Sequence, residues 1–213
     1  MKHLRAFVHL VCLLFALTQA AYSQSTTQNI VLTPALSNTL NTAQLEVLLK
    51  ASSTAIVQYE ERRESPWLDA PQRSRGTLSV KGPVLIKTQT SPRQEIWRLH
   101  PEYMEATQPL SHTEAIPEQT RHILYSQAPG MGVFANALRA VVMGNLDALP
   151  EHFELEITGT ELGWRLALTP KRAEDQRALS HIECTGARAG IEAIVVTEPQ
   201  GEKTTTTLLR PQS

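Results

Sequence analysis

The densest group of ionisable side chains in this 213-residue sequence is Glu60-Glu61, followed at once by Arg62-Arg63. Neighbouring carboxylates are the raw material of acid–base and glycosidic chemistry. With two arginines beside them at the end of a strand-like run, they read instead as a solvated strand end. Five histidines, His100, His112, His122, His152 and His181, are scattered, and none has HExxH or other metal-ligand spacing. His3 and His9 fall near the start of the chain. There is no Gly-x-Ser-x-Gly elbow. Gly130-Met131-Gly132 is too short for a phosphate loop and reads as a helix breaker. Cys184 sits in a strand-like run and reads as a small buried apolar side chain. No nucleophile–base constellation emerges. The sequence therefore predicts no catalytic residue, no metal and no cofactor.

What the sequence does supply is apolar side chains at regular spacing. In residues 151–170, Phe153, Leu155 and Ile157 alternate with polar neighbours. Leu162, Trp164, Leu166 and Leu168 then do the same. A period of two puts successive side chains on opposite faces of a strand. Thr158-Gly159-Thr160-Glu161 is short enough to be the turn, so the stretch predicts a hairpin with one apolar face. That face serves either a closed core or a ligand with long apolar chains.

At the front, Lys2 and Arg5 precede an apolar run over residues 6–17, and small residues follow up to Ala21-Tyr22-Ser23. This is the pattern of a cleaved secretory signal over residues 1–23. The run is too short to span roughly 30 Å of hydrocarbon. Cys12 lacks the small residues that precede a lipidated cysteine. Removing the signal takes away two basic residues and no acidic ones, which leaves 18 Lys+Arg against 21 Asp+Glu. A net charge near −3 offers no electrostatic case for nucleic acid or an anionic membrane surface. Cys184 is then the one remaining cysteine, so no intramolecular disulfide is expected.

These residues need a sheet to position them. After a Ser/Thr/Gln-rich lead-in (24–41), apolar spacing predicts a helix capped by Thr42, with residues 45–50 as its body. Strands follow at 55–64, 76–81, 84–90, 95–99 and 103–107, separated by turns such as Gly82-Pro83 and Ser91-Pro92-Arg93. Residues 65–74 read as a loop. Residues 116–127 are ambiguous, with a helical reading open. Residues 133–143 read as a helix ended by Gly144, with Phe134, Leu138 and Val142 on its apolar stripe. Beyond the hairpin come a charged connector (171–178) and strands at 179–185, 191–197 and 204–209. The tally is α+β: a large curved antiparallel sheet of eight to ten strands, an N-terminal helix and a central helical insertion, in one domain over residues 42–213.

The order of short motifs resembles the LolA family of periplasmic lipoprotein carriers. It begins with Tyr59-Glu60-Glu61-Arg62-Arg63, Leu68-Asp69-Ala70-Pro71, Ser74-Arg75-Gly76-Thr77-Leu78, Lys81-Gly82-Pro83 and Pro92. It continues with Gly163-Trp164-Arg165-Leu166-Ala167-Leu168-Thr169-Pro170-Lys171 and Gly201-Glu202-Lys203-Thr204. The similarity runs from about Leu45 to Leu209 and is greatest to divergent LolA-like proteins. It implies an unclosed β-barrel with a helical lid, a Gram-negative periplasmic location and an acylated cargo. It also implies an inner-membrane exporter as donor and an outer-membrane acceptor, with the carrier itself monomeric. The family's arginine before the proline, which helps hold the lid, is here Gly82. That departure implies that another basic residue, Arg62 or Arg75, holds the lid, or that the lid opens differently.

The implied lipid cavity would be lined from the sheet by Leu78, Val80, Leu85, Trp97, Phe153, Leu155, Ile157, Trp164, Leu166 and Leu168. Phe134, Leu138 and Val142 would line it from the lid. Periodicity alone reads the same side chains as ordinary core. The alternative function is a periplasmic lipid- or peptide-sensing regulatory protein on the same fold. Such a protein usually needs a second domain, and residues 42–213 read as one.

Overall fold

The computed structural model of the protein describes residues 39–53, 56–108 and 119–209. The chain divides into two units, Met1–Ala35 and Leu36–Ser213, and all described residues lie in the second. The predicted signal peptide, most of the lead-in and His112 fall outside the described residues.

Two runs of strands flank the main helix. The first run is β1 (Val57–Glu64), β2 (Gln72–Lys81), β3 (Val84–Ser91), β4 (Glu95–Leu99), β5 (Tyr103–Gln108) and β6 (Gln119–Leu124). The second is β7 (Phe153–Thr160), β8 (Gly163–Pro170), β9 (His181–Ala187), β10 (Gly190–Thr197) and β11 (Lys203–Leu209). Helices α1 (Thr42–Ser52), α2 (Pro129–Met143), α3 (Leu149–His152) and α4 (Ala173–Gln176), with 3-10 turns over Tyr125–Gln127 and Leu146–Ala148, complete the described elements. The strands make one antiparallel sheet in the order β6-β5-β4-β3-β2-β1-β11-β10-β9-β8-β7. Every neighbour is next in sequence except β1 and β11, which pair with Tyr59 opposite Leu208. The sheet does not close: β6 and β7 are its two edges, and the chain between them carries α2. This is the predicted unclosed α+β architecture.

Local chemistry explains the elements and the departures from expectation. Asn41, not Thr42, caps α1. Its side chain accepts from the Gln44 N–H at 2.9 Å, and the Gln44 side chain accepts from the Asn41 N–H at 2.9 Å, a reciprocal capping box. Leu40, assigned to the lead-in, is buried, and its N–H donates to the Gly159 carbonyl. β2 starts four residues before the predicted Gly76, pairing Gln72 with Arg63. Its first residues are polar on both faces, so hydrophobic periodicity could not reveal them. The ambiguous stretch holds an edge strand, β6, and a 3-10 turn over Tyr125–Gln127, not a helix. Only Ile123 of β6 is not exposed, so it carries no alternation.

Gly130 and Gly132 do not break the helix but lie in the first turn of α2, behind a proline at its start. A Cβ on Gly130 would run into Ala178, and one on Gly132 into Tyr125. Gly144, at φ +68°, ends α2 as predicted. In the β7–β8 hairpin, Thr160 pairs with Gly163, so the turn is Glu161-Leu162 and the strands are longer than predicted. Leu162, counted in the alternation, is 77% exposed at that tip.

The core lies between one face of the sheet and the helices. A large cluster joins Leu45 and Leu49 of α1 and Ala137 and Val141 of α2 to Tyr59, Leu78, Phe153, Leu166, Leu168, Ile182 and Ile194. A smaller one joins Leu85, Leu99, Met104, Tyr125 and Ala135. Leu138 and Val142 pack against both clusters, so α2 is the element that spans the whole apolar face.

Candidate functional site

The register fixes which side chains meet α2. Val57 faces Leu78, Val80 faces Leu85, and Leu85 faces Leu99 across successive strands. On the other half, Leu155 opposes Leu168, Ile157 opposes Leu166, and Leu166 opposes Cys184. Partners directly opposite share a face. The sequence-predicted lining residues are therefore brought to one side of the sheet, and Phe134, Leu138 and Val142 of α2 pack onto them. Leu78, Leu85, Phe153, Trp164, Leu166 and Leu168 are fully packed core. Val80, Trp97, Leu155 and Ile157 are half-buried at its margins. In this state the apolar face is filled by α1 and α2 rather than empty.

The same parity moves Arg62 and Arg75 away from the lid. Tyr59, Glu61 and Arg63 alternate with Glu60 and Arg62, and Arg75 stands between Ser74 and Gly76. Arg62 and Arg75 thus lie on the face opposite the helices, both exposed. There Arg62 pairs with Glu64 at 2.9 Å. With Arg73, Ser91, Glu60 and Glu61 they border a depression of mixed charge. Lys81 is exposed on that face too.

The basic residue at the lid is Arg139, on α2 itself. Its Nη1 donates to the Pro83 carbonyl at 3.0 Å, and its Nη2 to Asn136 Oδ1 at 3.1 Å. The tie between lid and β2–β3 turn thus runs to the position following Gly82, from the opposite partner. The sequence carried no signal for it, because Arg139 falls on the polar side of an otherwise apolar helical stripe.

Toward one end the helix-facing side turns polar. The Glu61 carboxylate accepts from Lys87 Nζ at 2.6 Å, Thr206 Oγ1 at 3.0 Å and Ser74 Oγ at 3.2 Å. Burial pushes this carboxyl up, but the ammonium and the hydroxyls outweigh it and hold Glu61 below the usual carboxylate range. Lys87 also lies 5.1 Å from the Tyr59 ring centroid. Arg63 pairs with Glu202 at 2.5 Å. Burial and the neighbouring Glu202 raise Glu198 to about 7. Glu60-Glu61, the first candidate for paired-carboxylate chemistry, is split between the two faces.

One cavity, of about 440 Å³, lies at the seam of the sheet. Tyr125, just after β6, and Phe153, at the start of β7, border it from the two edges. Its α2 wall is Gly132, Val133, Asn136, Ala137, Arg139, Ala140 and Met143, and Leu149 and His152 line it from α3. Of the sequence-predicted lining residues, Phe153 is the one that borders it. Among the described residues no group of three potential metal ligands occurs, and no helix is long and apolar enough to cross a membrane. Cys184 is fully buried, and burial pushes its thiol up to about 12.

Over residues 35–211 the sequence matches the family described as outer membrane lipoprotein carrier protein LolA-like. Among solved structures it is similar to a LolA superfamily protein from Nitrosomonas europaea, at 12% identity. That likeness covers 82% of this chain and 96% of that one, with a TM-score of 0.43. It is also similar to MucB, at 10% identity over 81% of this chain and 60% of that one, with a TM-score of 0.40. No curated protein matches.

Proposed function

Because the chain belongs to the LolA-like outer membrane lipoprotein carrier family, we propose that it is a non-enzymatic periplasmic carrier of acylated cargo. It takes a lipid or lipoprotein from an inner-membrane exporter, shelters the acyl chains between sheet and α2, and releases them to an outer-membrane acceptor.

The observation that carries this reading is the relation of α2 to the face beneath it. The apolar face carries two clusters, one including Phe153 and Leu166 and one including Leu85, and Leu138 and Val142 of α2 pack against both. Yet α2 belongs to no strand ladder, and among the described residues its side chains are tied to the strand-bearing part of the chain by the Arg139–Pro83 carbonyl bond. A cover that is apolar beneath and lightly fastened can exchange places with acyl chains. Each CH₂ buried contributes about 0.8 kcal/mol, so a chain of ordinary length is worth enough to displace part of the helix's own contacts.

The test is native mass spectrometry of the protein purified from the periplasm of its own host, with lipid extraction of any adduct. An acylated adduct supports the carrier reading and identifies the cargo. A clean apo mass, with no uptake of a fluorescent fatty-acyl probe, overturns it.

A further inference from the structure

The seam cavity has a chemistry that acyl binding alone does not require. Its walls are mostly apolar, yet it holds a guanidinium and no carboxylate lines it. Arginine offers five N–H donors. In Arg139, Nη1 reaches Pro83 and Nη2 reaches Asn136, while Nε is buried with no partner among the described residues. Two further lining residues repeat the pattern: Tyr125 Oη and His152 Nδ1 are buried and equally without partners. Buried polar groups are almost always hydrogen-bonded, so three unmet ones around a single cavity mark where a ligand's polar atoms would go. An inorganic anion would satisfy the donors but not the walls formed by Val133, Ala137 and Phe153. A plain hydrocarbon would satisfy the walls and strand the cation. An amphiphile with an anionic head does both.

We propose that the seam cavity seats the anionic head group of a single-chain acyl ligand, with Arg139 and Tyr125 as its donors. The inference rests on the acyl-binding reading above and adds the head-group class to it. The head is a carboxylate or a phosphate monoester, since both offer the acceptor oxygens that a guanidinium recognises. Burial pushes the Tyr125 hydroxyl up to about 12, so it stays a neutral donor at physiological pH. The anion also lies against the residue that ties the lid to the Pro83 turn, so occupancy and lid position share one side chain.

Isothermal titration of the full mature chain with dodecanoate, dodecyl phosphate and the neutral 1-monolauroylglycerol tests this. The anionic ligands are expected to bind at least tenfold more tightly than the neutral one. Arg139→Gln should bring the anionic-to-neutral affinity ratio to near one, and Tyr125→Phe should reduce it several-fold. A carboxylate preference over phosphate points to a free fatty acid, and the reverse to a lysophosphatidic acid, whose head is a phosphate monoester. If Arg139→Gln melts near room temperature, Tyr125→Phe decides. An unchanged anionic-to-neutral ratio in the folded variants overturns the head-group site and leaves the acyl-binding reading standing. Failure of all three ligands to bind the wild-type chain overturns both.

Discussion

Glu46 of α1 accepts a hydrogen bond from the Leu146 N–H at 2.7 Å, linking residues 100 positions apart. The carboxylate is buried, and its other oxygen lies 3.7 Å from Lys50 Nζ. It thus pins the chain just beyond the end of α2. Gly144 sits beside this joint against Lys50 and Leu49, at a φ of +68° that side chains resist. The C-terminal end of α2 is thus held to α1.

Removing that joint should therefore loosen α2 before it unfolds the sheet. Glu46→Ala leaves the Leu146 N–H without its partner, at a cost of about 1–3 kcal/mol. The expected result is a lowered melting temperature together with faster amide exchange in α2 than in β8 and β9. Uniformly faster exchange throughout would mean that the lid and the sheet open only as one unit.

Leu166 is completely buried between Ile157 and Cys184. Leu166→Ala should cost about 2–5 kcal/mol, as leucine truncations in packed cores do. Leu166→Glu should fail to fold and so says nothing about cargo. Leu155, half-buried on the same face, is the better probe: Leu155→Ala should keep a cooperative melt while weakening uptake of an acyl probe. Unaltered uptake would put the acyl chains away from this half of the sheet.

The Glu61–Lys87 pair is a double-mutant test of the polar end. Lys87→Met leaves a mostly buried carboxylate without its cation, and losses of about 3–5 kcal/mol are typical of buried pairs broken on one side. The partial exposure of both side chains should bring this case to the low end. Adding Glu61→Gln should recover much of the loss. A double variant destabilised by the sum of the two single variants would mean that the two groups do not interact energetically.

Glu198 sets a pH dependence of definite sign. Burial, with Glu202 nearby, raises its folded-state value to about 7 from an ordinary 4.5. The folded protein then holds this proton more tightly than the unfolded chain does. Its contribution is full below about 4.5 and lost as pH rises toward 7. Glu61, held low, acts in the opposite direction at more acidic pH. Thermal melts from pH 4.5 to 7.5 should show wild-type stability falling relative to Glu198→Gln across that window. Parallel curves would show that Glu198 titrates normally.

How much of this was legible in the sequence depended on whether a residue's role left a periodic trace. The alternation around Phe153, Leu155 and Ile157 and around Trp164, Leu166 and Leu168 marked the core face, because burial on one side of a strand is itself periodic. The apolar stripe of α2 was visible for the same reason. Strand β6 and the first residues of β2 were not, since they are polar on both sides and owe their conformation to neighbouring strands. Arg62 and Arg75 suit a lid latch in residue type alone, and counting two-residue steps from Leu78 would have put Arg75 on the far face. Arg139, Tyr125 and His152 come from three separate elements, and nothing local relates them. Their meeting follows from the order of strands, which brings both sheet edges to the same helix.

That strand order has a mechanical consequence. Because the sheet is completed by β1 pairing with β11, every ladder is intact without α2, and no backbone bond of the barrel wall passes through the helix. The wall is a self-sufficient trough, and the lid is a strap slung between its rims. Lifting the strap is a sub-global event whose free energy lies below that of unfolding the trough. The carrier proposed above would therefore open for cargo without its wall having to refold.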